Sequence, residues 1–183
     1  MDALRAVLDP WLGRPQWKQS EGRVTFNYRC NSEDTPPIRL KLKVEINSRE
    51  HFSVYGINAV PFSVQSRWFE GSCEISSYHI DELLGTKMRA LYQRRKGRDL
   101  FDLATALRGS SISPQRVVQA FSDYLGRAGR RVTREEFTEN IAAKLASKVF
   151  MADIGPLLAS GHACDLHADA DLVRDQLIAR LPD

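Results

Sequence analysis

Lys87 stands where the periodicity of its helix predicts an apolar residue. At about 100° per residue, Ile80, Leu83, Leu84 and Leu91 fall within one narrow stripe, and Lys87 lies in the middle of that stripe. An unpaired ammonium against a packed surface is costly, so it needs an anion or a route to water. Two interpretations remain open. Lys87 either meets a phosphate in a cleft as a point charge, or packs its stem while its head reaches solvent.

The segment that begins at Lys87 is strongly basic. It holds six cations and no acidic residue before position 99, namely Lys87, Arg89, Arg94, Arg95, Lys96 and Arg98. Such a cluster suits a phosphate-rich partner. We therefore expect Arg94, Arg95 and Arg98 to contribute to substrate binding.

Two carboxylates, Asp99 and Asp102, follow this basic segment one helical turn apart and so on one face. At this spacing they can orient a base, ligate a metal or hold an arginine. A structural interpretation is also open, because Gly97 is a natural helix stop, Asp99 a natural N-cap, and Asp102 completes a pattern like a capping box. Arg98 and Asp102, at i and i+4, can equally form a surface ion pair of small value.

The segment 38–46 has the clearest strand pattern in the chain. Its residues alternate between an apolar face (Ile38, Leu40, Leu42, Val44 and Ile46) and a charged face (Arg39, Lys41, Lys43 and Glu45). Glu45 is the single carboxylate at the end of a row of cations. It either sits near bound metal and phosphate or belongs to an exposed face that keeps an antiparallel sheet soluble.

These motifs resemble those of the AbiEii/AbiGii toxin family, which are nucleotidyltransferases with a polymerase-β-like catalytic fold. The resemblance is carried by D-E-L-L-G-T-K-M-R-A-L at 81–91 and R-R-K-G-R-D-L-F-D-L at 94–103. It implies a nucleotide-binding lysine at Lys87 and a functional acidic motif at Asp99 and Asp102. It also implies that Glu45, in K-V-E-I-N, is a third acid and a magnesium ligand, with Lys43 beside it as a substrate-binding residue. The run F-x-x-D-I-x-P-L-L at 150–158 also resembles the family's C-terminal helical region.

By this resemblance the chain transfers a nucleotide from an NTP to an acceptor, with RNA, in particular tRNA 3′ ends, as the suggested acceptor class. Mg²⁺ is the implied cofactor and a cognate antitoxin the implied protein partner. The family's first motif, a Gly-Ser turn followed by an Asp-x-Asp or Asp-x-Glu strand, is not found in this sequence. We therefore expect the back part of a catalytic domain, whose main magnesium ligands lie outside this chain, and an exposed sheet edge that invites a homodimer. The alternatives are a non-catalytic nucleotide- or RNA-binding remnant and an antitoxin-interacting module.

The composition excludes several classes of protein. The chain has 183 residues, of which 43% are hydrophobic and 27% charged, a formal net charge of +3 and three cysteines far apart. An odd number of scattered cysteines argues against a disulfide scaffold. No apolar run is long enough to span a bilayer, and the N-terminus lacks a signal-peptide pattern. We expect a cytoplasmic protein without a membrane association.

The order of the predicted elements indicates an α+β protein. We expect a partial polymerase-β-like mixed or antiparallel sheet in a domain spanning 1–78, followed by a C-terminal helical bundle in a domain spanning 79–183. A helix at 1–12 and a strand at 24–30 precede the strand at 38–46. Short β-like runs broken by Gly56, Pro61 and Gly71 are expected to complete the sheet.

The helical half carries clear local signals. Ser76 or Ser77 is expected to cap the helix of Lys87, Ser113-Pro114 to open a helix, and Thr133 to form a capping box with Glu136. The last helix is predicted at 172–181. His51 and His79 are interpreted as structural. His162, Cys164 and His167 are not expected to bind zinc, because a structural zinc site needs four ligands.

Overall fold

The protein consists of two compact units, Met1–Phe52 and Ser53–Asp183, in a computed structural model. The structure describes residues 1–47, 52–109, 111–160 and 163–183. Helices account for 49% and strands for 23%, with the strands preceding most of the helices. The predicted α+β class is therefore confirmed, with antiparallel pairing in each sheet. The predicted domain boundary between residues 78 and 79 stays a prediction.

The first unit is a helix packed on a three-stranded antiparallel sheet. Its elements are α1 (Asp2–Leu12), β1 (Gln16–Ser20), β2 (Arg23–Asn31) and β3 (Arg39–Asn47), and the strand order is β1-β2-β3. Leu12 of the helix and Val24, Phe26 and Tyr28 of β2 form the core. The Tyr28 hydroxyl donates a hydrogen bond of 2.9 Å to Asp9 Oδ1, which ties the helix to the strand. The predicted strands at 24–30 and 38–46 are thus confirmed.

Within the described residues of the first unit, α1 packs mainly on β2 and covers only part of the sheet. On β3, Val44 and Ile46 pack against the core, whereas the apolar residues at the other end, Ile38, Leu40 and Leu42, are exposed. Val7, which shares the helical spacing of the α1 core residues, is also exposed. Alternation along a strand predicts which side chains share a face, but a second layer must be present to bury them.

The second unit contains a hairpin followed by helices. Its elements are β4 (Ile57–Gln65), β5 (Glu70–Tyr78), α2 (Ile80–Gln93), α3 (Gly97–Gly109), α4 (Pro114–Arg127), α5 (Arg134–Leu145), α6 (Lys148–Ala152) and α7 (Leu166–Gln176). Within the described ranges β4 and β5 pair only with each other, so they do not complete the first sheet as predicted. The strands also run through Pro61 and Gly71, where breaks were predicted. A proline is tolerated in β4 because that strand has one unpaired edge.

The helices of the second unit enclose the larger core, in which α2 packs on α4 and α3 on α7. The predicted capping box is confirmed, since Thr133 Oγ1 accepts from Glu136 N–H and the Glu136 carboxylate accepts from Thr133 N–H. The last helix begins at Leu166, earlier than predicted, because the Asp165 side chain caps it. None of the described helices is both long and apolar enough to cross a bilayer.

The buried face of α2 contains Leu84 and Leu91 of the predicted apolar stripe but not Ile80 and Leu83. Ile80 and Leu83 are 43% and 38% exposed. The face that packs against the unit is instead formed by Asp81, Glu82, Leu84, Gly85, Met88 and Leu91. A pattern of apolar residues alone misses this face, because two of its members are acids and one is a glycine.

Gly85 permits the close approach of α2 and α4. A Cβ atom at this position would lie 2.6 Å from Ala120 Cβ and 2.9 Å from Phe121 N, closer than packed atoms tolerate. We expect Gly85→Ala to lower the free energy of unfolding by about 1 to 3 kcal/mol in urea denaturation, because the helices must separate. The matched control is Gly126→Ala in α4, where a Cβ meets nothing within 4 Å. Equal stability of the two variants would contradict this role for Gly85.

Candidate functional site

The turn between α2 and α3 brings three of the predicted catalytic residues together. Lys87 Nζ lies 3.3 Å from Asp99 Oδ1 and 2.8 Å from Asp102 Oδ2. Lys87 is on α2, and both acids are near the N-terminus of α3, which begins at Gly97 as the sequence predicts. The lysine therefore has carboxylate partners, and its side chain remains about one-third exposed.

Asp99 is the buried anchor of this cluster. Its side chain is 0% exposed. Arg94 grips it with two hydrogen bonds, from Nε to Oδ2 at 2.8 Å and from Nη2 to Oδ1 at 3.0 Å. A bidentate pair of this kind fixes orientation as well as charge. The hydrogen bond to Asp99 raises the pKa of Arg94 above its ordinary value, although burial opposes this. Asp99 is therefore a buried ion-pair partner in the first turn of α3 rather than the N-cap that its position suggests.

Asp102 differs from Asp99 in exposure. Its side chain is 45% exposed, and it contacts the same ammonium from the solvent side. The predicted alternative, a surface pair between Arg98 and Asp102, is not what the structure shows, because Lys87 takes that carboxylate. Asp102 is thus the acid of the cluster that a bound molecule can reach. Lys87 lies between one buried and one accessible carboxylate.

The turn itself is supported by α6 and the residue that follows it. Asp153 accepts hydrogen bonds from Lys96 Nζ at 3.1 Å and from Arg98 N–H at 3.4 Å. Burial acts to raise the pKa of Asp153, but these hydrogen bonds hold it below the usual range. A side chain at Gly97 would collide with the carbonyl oxygen of Phe150. Sequence reasoning did not assign these roles, although the F-x-x-D-I-x-P-L-L run was the signal that contained them.

The remaining predicted binding residues have different surroundings. The side chains of Arg95 and Arg98 are exposed at the turn, whereas Arg94 is committed to Asp99. Lys43 and Glu45 lie on β3 in the first unit, where Lys43 Nζ is 3.0 Å and Arg23 Nη1 3.3 Å from Glu45 Oε1. The hydrogen bond from Lys43 is the main cause that lowers the pKa of Glu45.

The described residues do not form a magnesium site by themselves. Within the parts of the chain that the structure describes, no three His, Cys, Asp or Glu side chains form a group that could hold a metal ion. Mg²⁺ prefers several oxygen ligands, whereas the Glu45 carboxylate is paired with two cations.

Cys164 and His79 have hydrogen-bond partners among the described residues. His51 and His162 lie outside them. Cys164 donates a hydrogen bond to Asp169 Oδ2 at 3.4 Å. Burial, reinforced by this contact, raises the pKa of the Cys164 thiol to about 11. His79, rather than Ser76 or Ser77, caps α2, because its Nδ1 accepts from Asp81 N–H.

Two buried acids at the start of α2, Asp81 and Glu82, bind this helix to neighbouring segments of the unit. The sequence analysis assigned no role to either acid. Glu82 is 0% exposed and accepts hydrogen bonds from Val54 N–H, Tyr55 N–H, Ser53 Oγ and Tyr124 Oη. Burial acts to raise the pKa of Glu82, but these donors hold it below its ordinary value. Asp81 accepts from Ser113 N–H and pairs with Arg116. An acid inside the buried face of a helix is the signal that points to such anchors.

One known protein family matches most of this chain. The family model described as "Nucleotidyl transferase AbiEii toxin, Type IV TA system" matches residues 1–172. No curated protein and no solved structure matched the chain. The family match spans both units and includes every residue of the Lys87 cluster, so the chain belongs to the AbiEii nucleotidyl transferase toxin family of type IV toxin–antitoxin systems.

Proposed function

We propose that this protein binds a nucleoside triphosphate at Lys87 and serves nucleotidyl transfer to an RNA acceptor. The observation that carries the proposal is Lys87, whose ammonium is held between Asp99 and Asp102 and whose side chain is still one-third exposed. A fixed cation of this kind can meet a phosphate oxygen, and catalysis of phosphoryl and nucleotidyl transfer depends mainly on positioning and charge neutralisation. Family membership supports the reaction class.

The two acids take different roles in this proposal. Asp99 is buried and gripped by Arg94, so it orients the lysine and does not meet the substrate. Asp102 is accessible, so it accepts the proton of the attacking hydroxyl group of the acceptor. Arg95 and Arg98 are exposed on the same turn and contact phosphates of the nucleotide or of the RNA.

Other parts of the proposal rest on the family alone. A tRNA 3′ end as the acceptor, a cognate antitoxin as the protein partner and Mg²⁺ as the cofactor follow from the resemblance. The contributions of Lys43 and Glu45 to substrate and metal binding, and the homodimer, likewise stay predictions.

The proposal is tested by titrating the protein with a nucleoside triphosphate and then supplying labelled triphosphate, Mg²⁺ and an RNA pool. We expect binding that weakens as salt is added, because phosphate contacts with exposed cations are screened. Label in the RNA would support transfer. Binding without label is the result expected of the alternative, a nucleotide-binding protein without catalysis. No binding at low salt would overturn the proposal.

Asp102→Asn is expected to separate binding from transfer. The carboxylate competes with phosphate for Lys87, so its neutralisation should tighten triphosphate binding by about threefold to tenfold. The same change removes the proton acceptor, so the transfer rate should fall by about 10² to 10⁴. Calorimetric titration and incorporation of label measure the two effects. Asp171→Asn, at an exposed position of α7, is the control and should change neither.

A further inference from the structure

Lys144 of α5 is a buried cation that the proposed function does not use. Lys144 is buried, with only 4% of the residue exposed. Among the residues that the structure describes, no carboxylate lies within ion-pairing distance of its ammonium. A buried charge persists only where other groups take the place of water. The hydrogen-bond acceptors that replace water around the Lys144 ammonium therefore indicate its role.

The ammonium of Lys144 is held by the C-terminal end of α2. It donates hydrogen bonds to the carbonyl oxygens of Leu91 and Tyr92, the latter at 2.8 Å, and to Asn140 Oδ1 on its own helix. The last carbonyls of a helix have no partner within the helix, and they carry the negative end of its dipole. All three donors of the ammonium are therefore used, two of them to close α2.

The C-terminal end of α2, whose carbonyls Lys144 binds, is followed directly by Arg94 of the candidate site. Arg94 is the residue after the last turn, and its N–H donates to Ala90 O at 3.0 Å, next to the two carbonyls that Lys144 takes. From there the Arg94 side chain turns to grip Asp99, which in turn contacts Lys87. Lys144 is thus connected to the proposed nucleotide-binding lysine through its hydrogen bonds to Leu91 and Tyr92, the backbone that leads from them to Arg94, and the ion pairs of Arg94 with Asp99 and of Asp99 with Lys87.

We propose that Lys144 is a positioning residue of the site, which fixes the last turn of α2 so that Arg94 holds Asp99 and Asp99 orients Lys87. Lys144 does not touch substrate in this proposal. Its link to nucleotide binding rests on the proposed function, whereas its effect on the pair of Arg94 and Asp99 does not. The two parts can therefore be tested separately.

The surroundings of Lys144 also predict how the positioning of Arg94 by Lys144 depends on pH. Burial lowers the pKa of Lys144 to about 8, with Arg95 lowering it further and Asp99 opposing the change. The remaining groups facing it are the Tyr92 ring and the Asn140 side chain. Because this pKa is below the unfolded value, the contribution of Lys144 to the free energy of unfolding rises with pH from about 8 to about 10.5. The neutral amine of Lys144 has one N–H donor fewer than the ammonium and cannot make all three hydrogen bonds. We therefore expect the Arg94 side chain to become less ordered as pH rises above about 8.

The test follows the Nε–H of Arg94 by NMR, because its hydrogen bond to Asp99 Oδ2 slows exchange with water. We expect Lys144→Met to accelerate this exchange about tenfold and to weaken triphosphate binding by a similar factor. Lys148→Met, an exposed lysine of α6, is the matched control and should leave both unchanged. In the parent protein, exchange at Arg94 should deviate upward from its base-catalysed trend above about pH 8, and this deviation should be absent in Lys144→Met.

Each outcome decides the proposal. Slow exchange at Arg94 that survives in a folded Lys144→Met variant would overturn it. If Lys144→Met does not fold, Asn140→Ala decides, because it removes one acceptor of the ammonium and leaves the lysine in place. That variant should accelerate exchange at Arg94 by a smaller factor, and no acceleration would count against the proposal. A parent protein that does not bind triphosphate would contradict the proposed function, while the NMR signal would still decide the role of Lys144.

Discussion

Lys87→Met is expected to weaken nucleoside triphosphate binding by at least about tenfold and to abolish transfer. The substitution removes the ammonium that lies between Asp99 and Asp102 and leaves two carboxylates where phosphate would bind. The fold should survive, because Arg94 still pairs with Asp99 through two hydrogen bonds. We expect the free energy of unfolding to fall by roughly 1.5 to 3 kcal/mol, the value of a hydrogen bond to a charged group.

Calorimetric titration and incorporation of labelled nucleotide into RNA measure these two effects of Lys87→Met. Lys18→Met, at an exposed position of β1, is a control with the same change of charge. Two features distinguish loss of the site from loss of the fold, namely an unchanged circular dichroism spectrum and a retained slow exchange at Arg94. Binding by Lys87→Met that equals that of the parent would show that Lys87 does not contact the triphosphate.

Glu82→Ala is expected to cause the largest loss of stability. The carboxylate is fully buried and satisfies four donors, two of them backbone N–H groups of Val54 and Tyr55. Its removal leaves these groups without an acceptor and opens a cavity beside Tyr124. We expect the free energy of unfolding to fall by about 3 to 5 kcal/mol, a large part of the total for a small domain.

The same carboxylate predicts a dependence of stability on pH. The pKa of Glu82 in the folded protein is below its unfolded value, so the unfolded chain binds a proton more readily. The stabilisation is therefore fully present above the unfolded pKa and is lost as pH falls through the folded pKa. Urea denaturation between pH 7 and pH 3 should show this loss in the parent protein. A smaller loss is expected in Glu82→Ala.

The control for both measurements on Glu82 is Glu139→Ala, which removes an exposed carboxylate from α5. Its stability should stay within about 0.5 kcal/mol of the parent, with the same dependence on pH. A Glu82→Ala variant as stable as Glu139→Ala would show that the buried hydrogen bonds of Glu82 contribute nothing net.

Local features of this protein follow closely from its sequence. The start of α3 at Gly97, the capping box of Thr133 and Glu136, and the strand β3 all appear where the sequence predicts them. Each depends on residues within a few positions of one another, so periodicity and cap chemistry are sufficient. The resemblance to the family implied functional roles for Lys87, Asp99 and Asp102, and the structure brings these three side chains together.

Burial and pairing could not be predicted in this way. The sequence suggested that Ile80 and Leu83 face the core, whereas the structure buries Glu82 and Gly85. The reason is that contacts from distant parts of the chain decide which face of a helix is covered. Glu82 is satisfied by residues 53–55, and the face around Gly85 is occupied by α4.

The sequence by itself indicated the α+β class, most of the helices and strands, the basic turn, the family, and three residues that the structure brings together, Lys87, Asp99 and Asp102. Only the tertiary structure decided that Asp99 is buried beneath Arg94 while Asp102 stays accessible, and that Lys144 closes the end of α2. Two acids one helical turn apart look equivalent in a sequence. They differ in the folded protein because burial and charge pairing depend on neighbours brought together by the packing of separate helices, and these determine which acid can meet a substrate.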